Sequence, residues 1–190
     1  KNWKTLGPVF WGKKTKDYPY FIELNRILAE IPGVCSVSFN MLEPQSRIMP
    51  HFGETNAVYR VHLGVKIPRN RGSCTFTVNG ESRPWEEGKT LVFLDANTHE
   101  ARNDTDERRY ILLLDVIRPE FASQRRRICV QALSMLSLYW VIAHVPFLPA
   151  QKIHDNAHHI PKWLTWSLIQ PLRLIWSLAW PFVCFRWKQQ

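Results

Sequence analysis

Of the chain's seven histidines, three fall within its first 121 residues: His51, His62 and His99. Each stands on or beside a stretch that reads as a β-strand. His51 follows Pro50 and precedes Phe52-Gly53-Glu54-Thr55-Asn56, and His99 sits in Asp95-Ala96-Asn97-Thr98-His99-Glu100. Strands of one barrel can bring two such histidines together on a single metal ion, and neutral imidazole suits iron, zinc and copper alike. Alone, a strand histidine is more often a hydrogen-bonded structural residue. Two arginines shift that balance. Arg60 interrupts an apolar run, Val58-Tyr59-Arg60-Val61-His62-Leu63, and Arg109 opens another. A guanidinium pointing into a barrel is costly unless an anion meets it, and a bidentate carboxylate is its natural partner. Facing outward, both arginines would simply be solvated.

The elements that must position these residues are legible from periodicity. Residues 21–31 repeat apolar positions at helical spacing and end at Pro32-Gly33, a stop signal. After Gly33 the period becomes two: residues 34–42 alternate as a half-buried strand does, and Pro44-Gln45-Ser46 marks a turn. Residues 57–67 and 74–78 read as further strands, the second running into Asn79-Gly80, a strong hairpin signal. A turn at Glu86-Glu87-Gly88 precedes strands at 90–94 and 109–117, and Pro119 closes the domain. Short strands with frequent turns and no intervening helices predict an all-β sandwich or barrel over residues 1–121. The opening twenty residues are aromatic and basic, with Trp3, Phe10 and Trp11 among Lys4, Lys13, Lys14 and Lys16.

Together these segments resemble the aspartyl/asparaginyl β-hydroxylase family. The resemblance is carried by Met49-Pro50-His51-Phe52-Gly53-Glu54-Thr55-Asn56, Tyr59-Arg60-Val61-His62-Leu63-Gly64 and Trp85-Glu86-Glu87-Gly88-Lys89. Phe93-Leu94-Asp95 through His99-Glu100, Asn103-Asp104 and Arg109 continue it, as do Asn2-Trp3-Lys4-Thr5 and Ile31-Pro32-Gly33. It implies a mainly β protein, a double-stranded β-helix (jelly roll) acting as an iron(II)- and 2-oxoglutarate-dependent dioxygenase. His51 and His99 would then be the iron ligands. Arg109 would pair with the distal carboxylate of 2-oxoglutarate, His62 would help hold that co-substrate, and Arg60 would face co-substrate or substrate. Asn40 falls where animal members have a serine that touches 2-oxoglutarate, and an amide can still donate there.

Most non-haem oxygenases add a carboxylate two residues after the first histidine. Here that position is Gly53, as in the family generally, where water fills the gap. Asp95 matches the acid that orients this water. The open position also leaves halogenation as an alternative reaction, and a catalytically degenerate, membrane-tethered binding module as a non-enzymatic one.

Composition separates the two ends of the chain. Its 190 residues are 45% hydrophobic and 22% charged, which excludes a disordered tail. Four separated cysteines (Cys35, Cys74, Cys129, Cys184) form no metal or disulfide framework and suit a reducing compartment. The net charge of +9 is uneven: residues 1–121 hold 17 Lys+Arg against 15 Asp+Glu, and residues 122–190 hold 8 against one. That second segment also carries six of the nine tryptophans. Basic charge with Trp and aliphatic runs points to a membrane interface rather than nucleic acid. Residues 128–145 could span a bilayer, though on the short side, with Arg125-Arg126-Arg127 holding the leading end, and so the catalytic domain, at the cytoplasmic face. Residues 160–185, interrupted by Pro161, Pro171, Arg173 and Pro181, read as a broken interfacial helix or re-entrant piece. The alternative is that both stretches are buried core helices. Beginning at Lys1, the sequence is expected to lack its natural start.

The resemblance implies a substrate of one of two kinds, Asp or Asn side chains of proteins or the acyl chain of lipid A. Animal peptide hydroxylases carry an arginine where this chain has Val58, which weakens the case for an acidic side chain. The basic, Trp-rich tail favours a membrane-bound substrate, but it could equally anchor an enzyme acting on membrane-proximal proteins, so peptidyl Asp or Asn and a membrane lipid acyl chain both stay open.

Overall fold

The structure, a computed structural model, describes residues 3–144 and 162–184. It divides into two compact units that change over between Arg125 and Arg126. The described residues of the first unit form β1 (Trp3–Phe10), β2 (Lys13–Lys14), α1 (Ile22–Glu30), β3 (Val34–Leu42), β4 (Ser46–His51) and β5 (Val58–Lys66). They continue with β6 (Cys74–Val78), β7 (Glu81–Pro84), β8 (Thr90–Leu94), β9 (His99–Asn103) and β10 (Arg109–Ile117). One sheet has the order β2-β1-β3-β10-β5-β8 and the other β4-β9-β6-β7, with every strand pair antiparallel. The protein is therefore mainly β, with a two-sheet jelly-roll body.

The period of two decides what each strand buries. Along β10, Arg109, Ile111, Asp115 and Ile117 are buried at alternate positions. Leu42, Phe93 and Ile111 from the larger sheet meet Phe76 and Ala101 from the smaller, with Trp85 and Cys74, in one core between the sheets. Val37 and Leu112, of opposite parity, pack on Leu28 of α1 across the outer face. Asn79 and Gly80 both take positive φ, 48° and 87°, as a two-residue hairpin between β6 and β7 requires. The aromatic, basic opening, for which the sequence suggested no element, forms β1 and β2 on the edge of the larger sheet.

In the second unit α2 (Arg125–His144) and α3 (Lys162–Val183) are linked by Trp176, whose Nε1 donates to Ser137 Oγ at 3.0 Å. The expected break in residues 160–185 does not occur within the described part, because α3 runs through Pro171 and Pro181. A proline has no N–H for the carbonyl four residues back. For Pro181 that carbonyl is Ser177, and Arg126 Nη2 donates to it at 3.0 Å instead. Among the described residues no helix is long and apolar enough to cross a membrane. The expected span over 128–145 is thus not seen in α2, and Val145, Ile160, Pro161 and Phe185 lie outside the described residues.

Candidate active site

A cavity of about 560 Å³ opens between the two sheets. β4 and β9 are neighbours in the smaller sheet, and His51 is the register partner of His99. Cross-strand partners place their side chains on the same face, so the ring centroids lie 4.2 Å apart, tilted by 58°. β4 is an edge strand, which lets it carry Pro50 without losing a ladder hydrogen bond.

Both rings are oriented alike. His51 Nδ1 lies 2.8 Å from Met49 O, and His99 Nδ1 lies 2.8 Å from Asn97 O. A carbonyl only accepts, so Nδ1 is the donor on each ring and Nε2 is left for another partner. Burial, more than the neighbouring His51, pushes His99 down to about 4, so its ring is neutral at ordinary pH. Among the described residues no group of three or more His, Cys, Asp and Glu side chains is arranged to hold a metal. Two imidazoles are too few for a structural ion but suit one whose remaining positions are filled by exchangeable ligands.

Gly53 gives this site its particular shape. Its backbone N–H donates to Asp95 O at 2.8 Å, and a Cβ at this position would fall inside the Asp95 carboxylate. The missing side chain is therefore space that Asp95 fills. That carboxylate is fully buried, with Oδ1 4.0 Å from His99 Nε2. Burial raises its pKa to about 7 against the pull of Arg60, with Asp115 and Glu54 adding to the rise.

Arg60 does not stand free to meet a co-substrate. Its Nε donates to Asp115 Oδ1 at 2.7 Å and its Nη2 to Asp115 Oδ2 at 3.2 Å, while Nη1 pairs with Asp95 Oδ1 at 2.5 Å. Burial opposes the Arg60 charge, but Asp115 and then Asp95 outweigh it and hold the guanidinium above its ordinary pKa. The reason is register: Arg60 and Asp115 face each other across β5 and β10. Asn40 is similarly engaged. Its Oδ1 accepts from Thr5 Oγ1 at 2.7 Å, and its Nδ2 donates to Ser38 Oγ at 2.8 Å.

Around Arg109 some polar atoms lack hydrogen-bond partners among the described residues. Arg109 is 1% exposed, and its charge meets no carboxylate among the described residues. Burial pushes it down to about 10, with its Cζ 4.5 Å above the Trp85 ring. Arg109 Nε, Trp85 Nε1 and His62 Nδ1 are all buried without a hydrogen-bond partner. Burial, then Arg109, lowers the His62 pKa well below its ordinary value. Two unsatisfied donors, Arg109 Nε and Trp85 Nε1, beside a buried cation and the His62 ring are the complement of a small anion rich in acceptors.

The sequence reading brought His51, His62, His99, Arg60, Arg109, Asp95 and Asn40 to one cavity, and all seven contribute to its wall or to its charge network. It missed Asp115 and Trp85 as members of the site. Asp115 stands at the same parity as Arg109 in an apolar strand, and that parity would have placed its carboxylate inside.

A jelly roll with a pocket between its sheets is a frame common to many enzymes and binding proteins. A sequence profile described as "Aspartyl/Asparaginyl beta-hydroxylase" matches residues 1–119, and the chain belongs to that family. It is 38% identical over 90 residues to an ornithine lipid ester-linked acyl 2-hydroxylase from Rhizobium tropici, covering 47% of this chain and 32% of that protein. It is also 38% identical over 91 residues to the aspartyl/asparaginyl beta-hydroxylase of Mus musculus, covering 48% of this chain and 12% of that protein. The chain thus matches only a minor part of either relative's length. Among solved structures, a Cupin_2 domain of an XRE family transcriptional regulator from Enterobacter cloacae aligns with TM-score 0.43 and 12% identity, over 62% of this chain and 99% of that one.

Proposed function

We propose that this chain is an iron(II)- and 2-oxoglutarate-dependent hydroxylase acting on an aliphatic acyl chain. The observation that supports it most is the pairing of two imidazoles, both with Nδ1 tied to backbone, with a buried Arg109 that meets no carboxylate among the described residues, all in one cavity. His51 and His99 would hold the iron through Nε2. Arg109 would take the distal carboxylate of 2-oxoglutarate, and Trp85 Nε1 and His62 would donate to it. When bound, iron and 2-oxoglutarate supply the oxidising power that converts substrate C–H and dioxygen to C–OH, releasing succinate and CO2. The barrel orients the co-substrate and excludes water. Arg60, itself held by Asp115, fixes Asp95 beside His99, where it could orient a water on the metal's open side.

The apolar part of the cavity lining favours an acyl chain over an acidic side chain. Trp3, Phe10, Met49, Phe52 and Leu113 contribute to it beside Glu54, and Val58 is buried with no cation to offer. The filling of the Gly53 space by an acidic group speaks against halide binding there, and so against halogenation.

Two measurements test the reading. Iron(II) and 2-oxoglutarate added together without oxygen should give visible charge-transfer absorption, and His99→Ala should abolish it. With oxygen, wild type should convert 2-oxoglutarate to succinate and add one oxygen atom to lipid acyl chains. Absence of the absorption in wild type would reduce the chain to a binding module. Oxygen on Asp or Asn of a peptide, with lipids untouched, would move the substrate to the peptide class.

A further inference from the structure

We propose that the mouth of the cavity is itself a membrane-docking face, in which Trp3, Phe10, Met49 and Phe52 enter the acyl boundary of an anionic bilayer. The inference rests on the acyl-chain reading above and adds how such a substrate would be reached. These four large apolar side chains are 49%, 46%, 72% and 75% exposed, and all four line the same cavity. They come from separate segments, β1 and the end of β4, so they form a collar and not one stray strand. An exposed apolar group of this kind, rimming a pocket, marks a surface that is covered in use.

The collar is also held in place. Phe10 precedes the tight β1–β2 turn, where Trp11 is 1% exposed and donates its backbone N–H to Ser36 Oγ at 3.0 Å. With Trp11 buried as an anchor, the hairpin presents Phe10 outward. Lys13 stands opposite Phe10 and Lys14 opposite Val9 in the register. Between residues 3 and 20 there are four lysines, Lys4, Lys13, Lys14 and Lys16, against one acid, Asp17. Phe and Trp flanked by lysines match an interface with an apolar layer beneath anionic headgroups. An acidic peptide would answer the lysines but leave Met49 and Phe52 in water. A bilayer answers both, despite Glu54 on the rim.

The test uses the full chain, without iron or 2-oxoglutarate, on vesicles of phosphatidylcholine and phosphatidylglycerol containing a photoactivatable phosphatidylcholine. Illumination followed by peptide mass mapping should place lipid adducts on residues 3–14 and 47–54. Adducts confined to residues 126–184, or none at all, would overturn the proposal, as would binding of an acidic peptide with no lipid adduct. Equal labelling on pure phosphatidylcholine would overturn the role given to the lysines. Phe10→Ser with Phe52→Ser should weaken partitioning about tenfold, with the thermal melt retained. Should that variant fail to fold, the wild-type adduct map still decides. Labelling requires no turnover, so lipid that is labelled but never hydroxylated would sink the acyl-hydroxylase reading while leaving the docking face intact.

Discussion

Two arginines share the cavity under opposite circumstances. Arg60 lies between two carboxylates, Asp95 and Asp115, and its charge is answered by the protein itself. Arg109 is more deeply buried and meets the face of Trp85 but no carboxylate among the described residues. Burying a charge in both cases costs several kcal/mol, but among the described residues only the first is offset by carboxylates. The difference separates scaffold from receptor. Where a fold has closed its own ion pairs the geometry serves position, and where it leaves a cation open the geometry is complementary to something that arrives from outside.

The contrast can be broken from either side. Replacing Arg60 with Leu should be the most damaging change, lowering stability by about 3–5 kcal/mol because Asp95 and Asp115 are left buried and facing each other. Chemical denaturation would read it, and a loss below about 1 kcal/mol would show that the triad is not what holds the site. Arg109→Leu should do the reverse: no loss of melting temperature without ligand, but about a hundredfold weaker 2-oxoglutarate binding, worth about 2.7 kcal/mol. If calorimetry finds that affinity unchanged, Arg109 is not the receptor. Gly53→Ala should cost about 1–3 kcal/mol by forcing the Asp95 carboxylate aside, and should disturb the iron–2-oxoglutarate absorption more than Ala introduced at Gly80, where nothing lies within 4 Å.

The smallest effect concerns His62. Its pKa in the fold lies below the ordinary value, so below about pH 6.5 the unfolded chain takes up a proton that the native one refuses. Stability is therefore full above that pH and falls as the solution is acidified, by up to about 1.4 kcal/mol per pH unit for this one group. His62→Gln should flatten that share of the slope in denaturation measured between neutral and acidic pH. An unchanged slope would mean that the folded ring takes up its proton as readily as the unfolded one.

Much of this was readable beforehand, and the exceptions have physical reasons. Alternation picked out residues 34–42, 74–78 and 90–94 as they occur in the fold, because one face of each meets the core. β4 was invisible: Arg47, Met49 and Pro50 are exposed on an edge, and an edge strand with little to bury shows little pattern. β1 was hidden by Gly7-Pro8 and by apolar residues on its solvent side, the same residues that give the cavity its collar. Pro171 and Pro181 suggested a break that α3 does not make, since an arginine from another helix repairs one of the freed carbonyls. The iron and co-substrate assignments came from a family resemblance. Spacing alone had left the metal open and had not marked Asp115.

His51 and His99 face each other because two strands are in register, not because two side chains happened to choose convergent rotamers. A slip of one residue in β4 would turn His51 to the opposite side of the sheet, with nearly every hydrogen bond of the barrel intact. The chemistry would then be switched off by an outermost ribbon changing its footing, a failure that circular dichroism and melting curves would pass over. Amide exchange along residues 46–51 is where it would show.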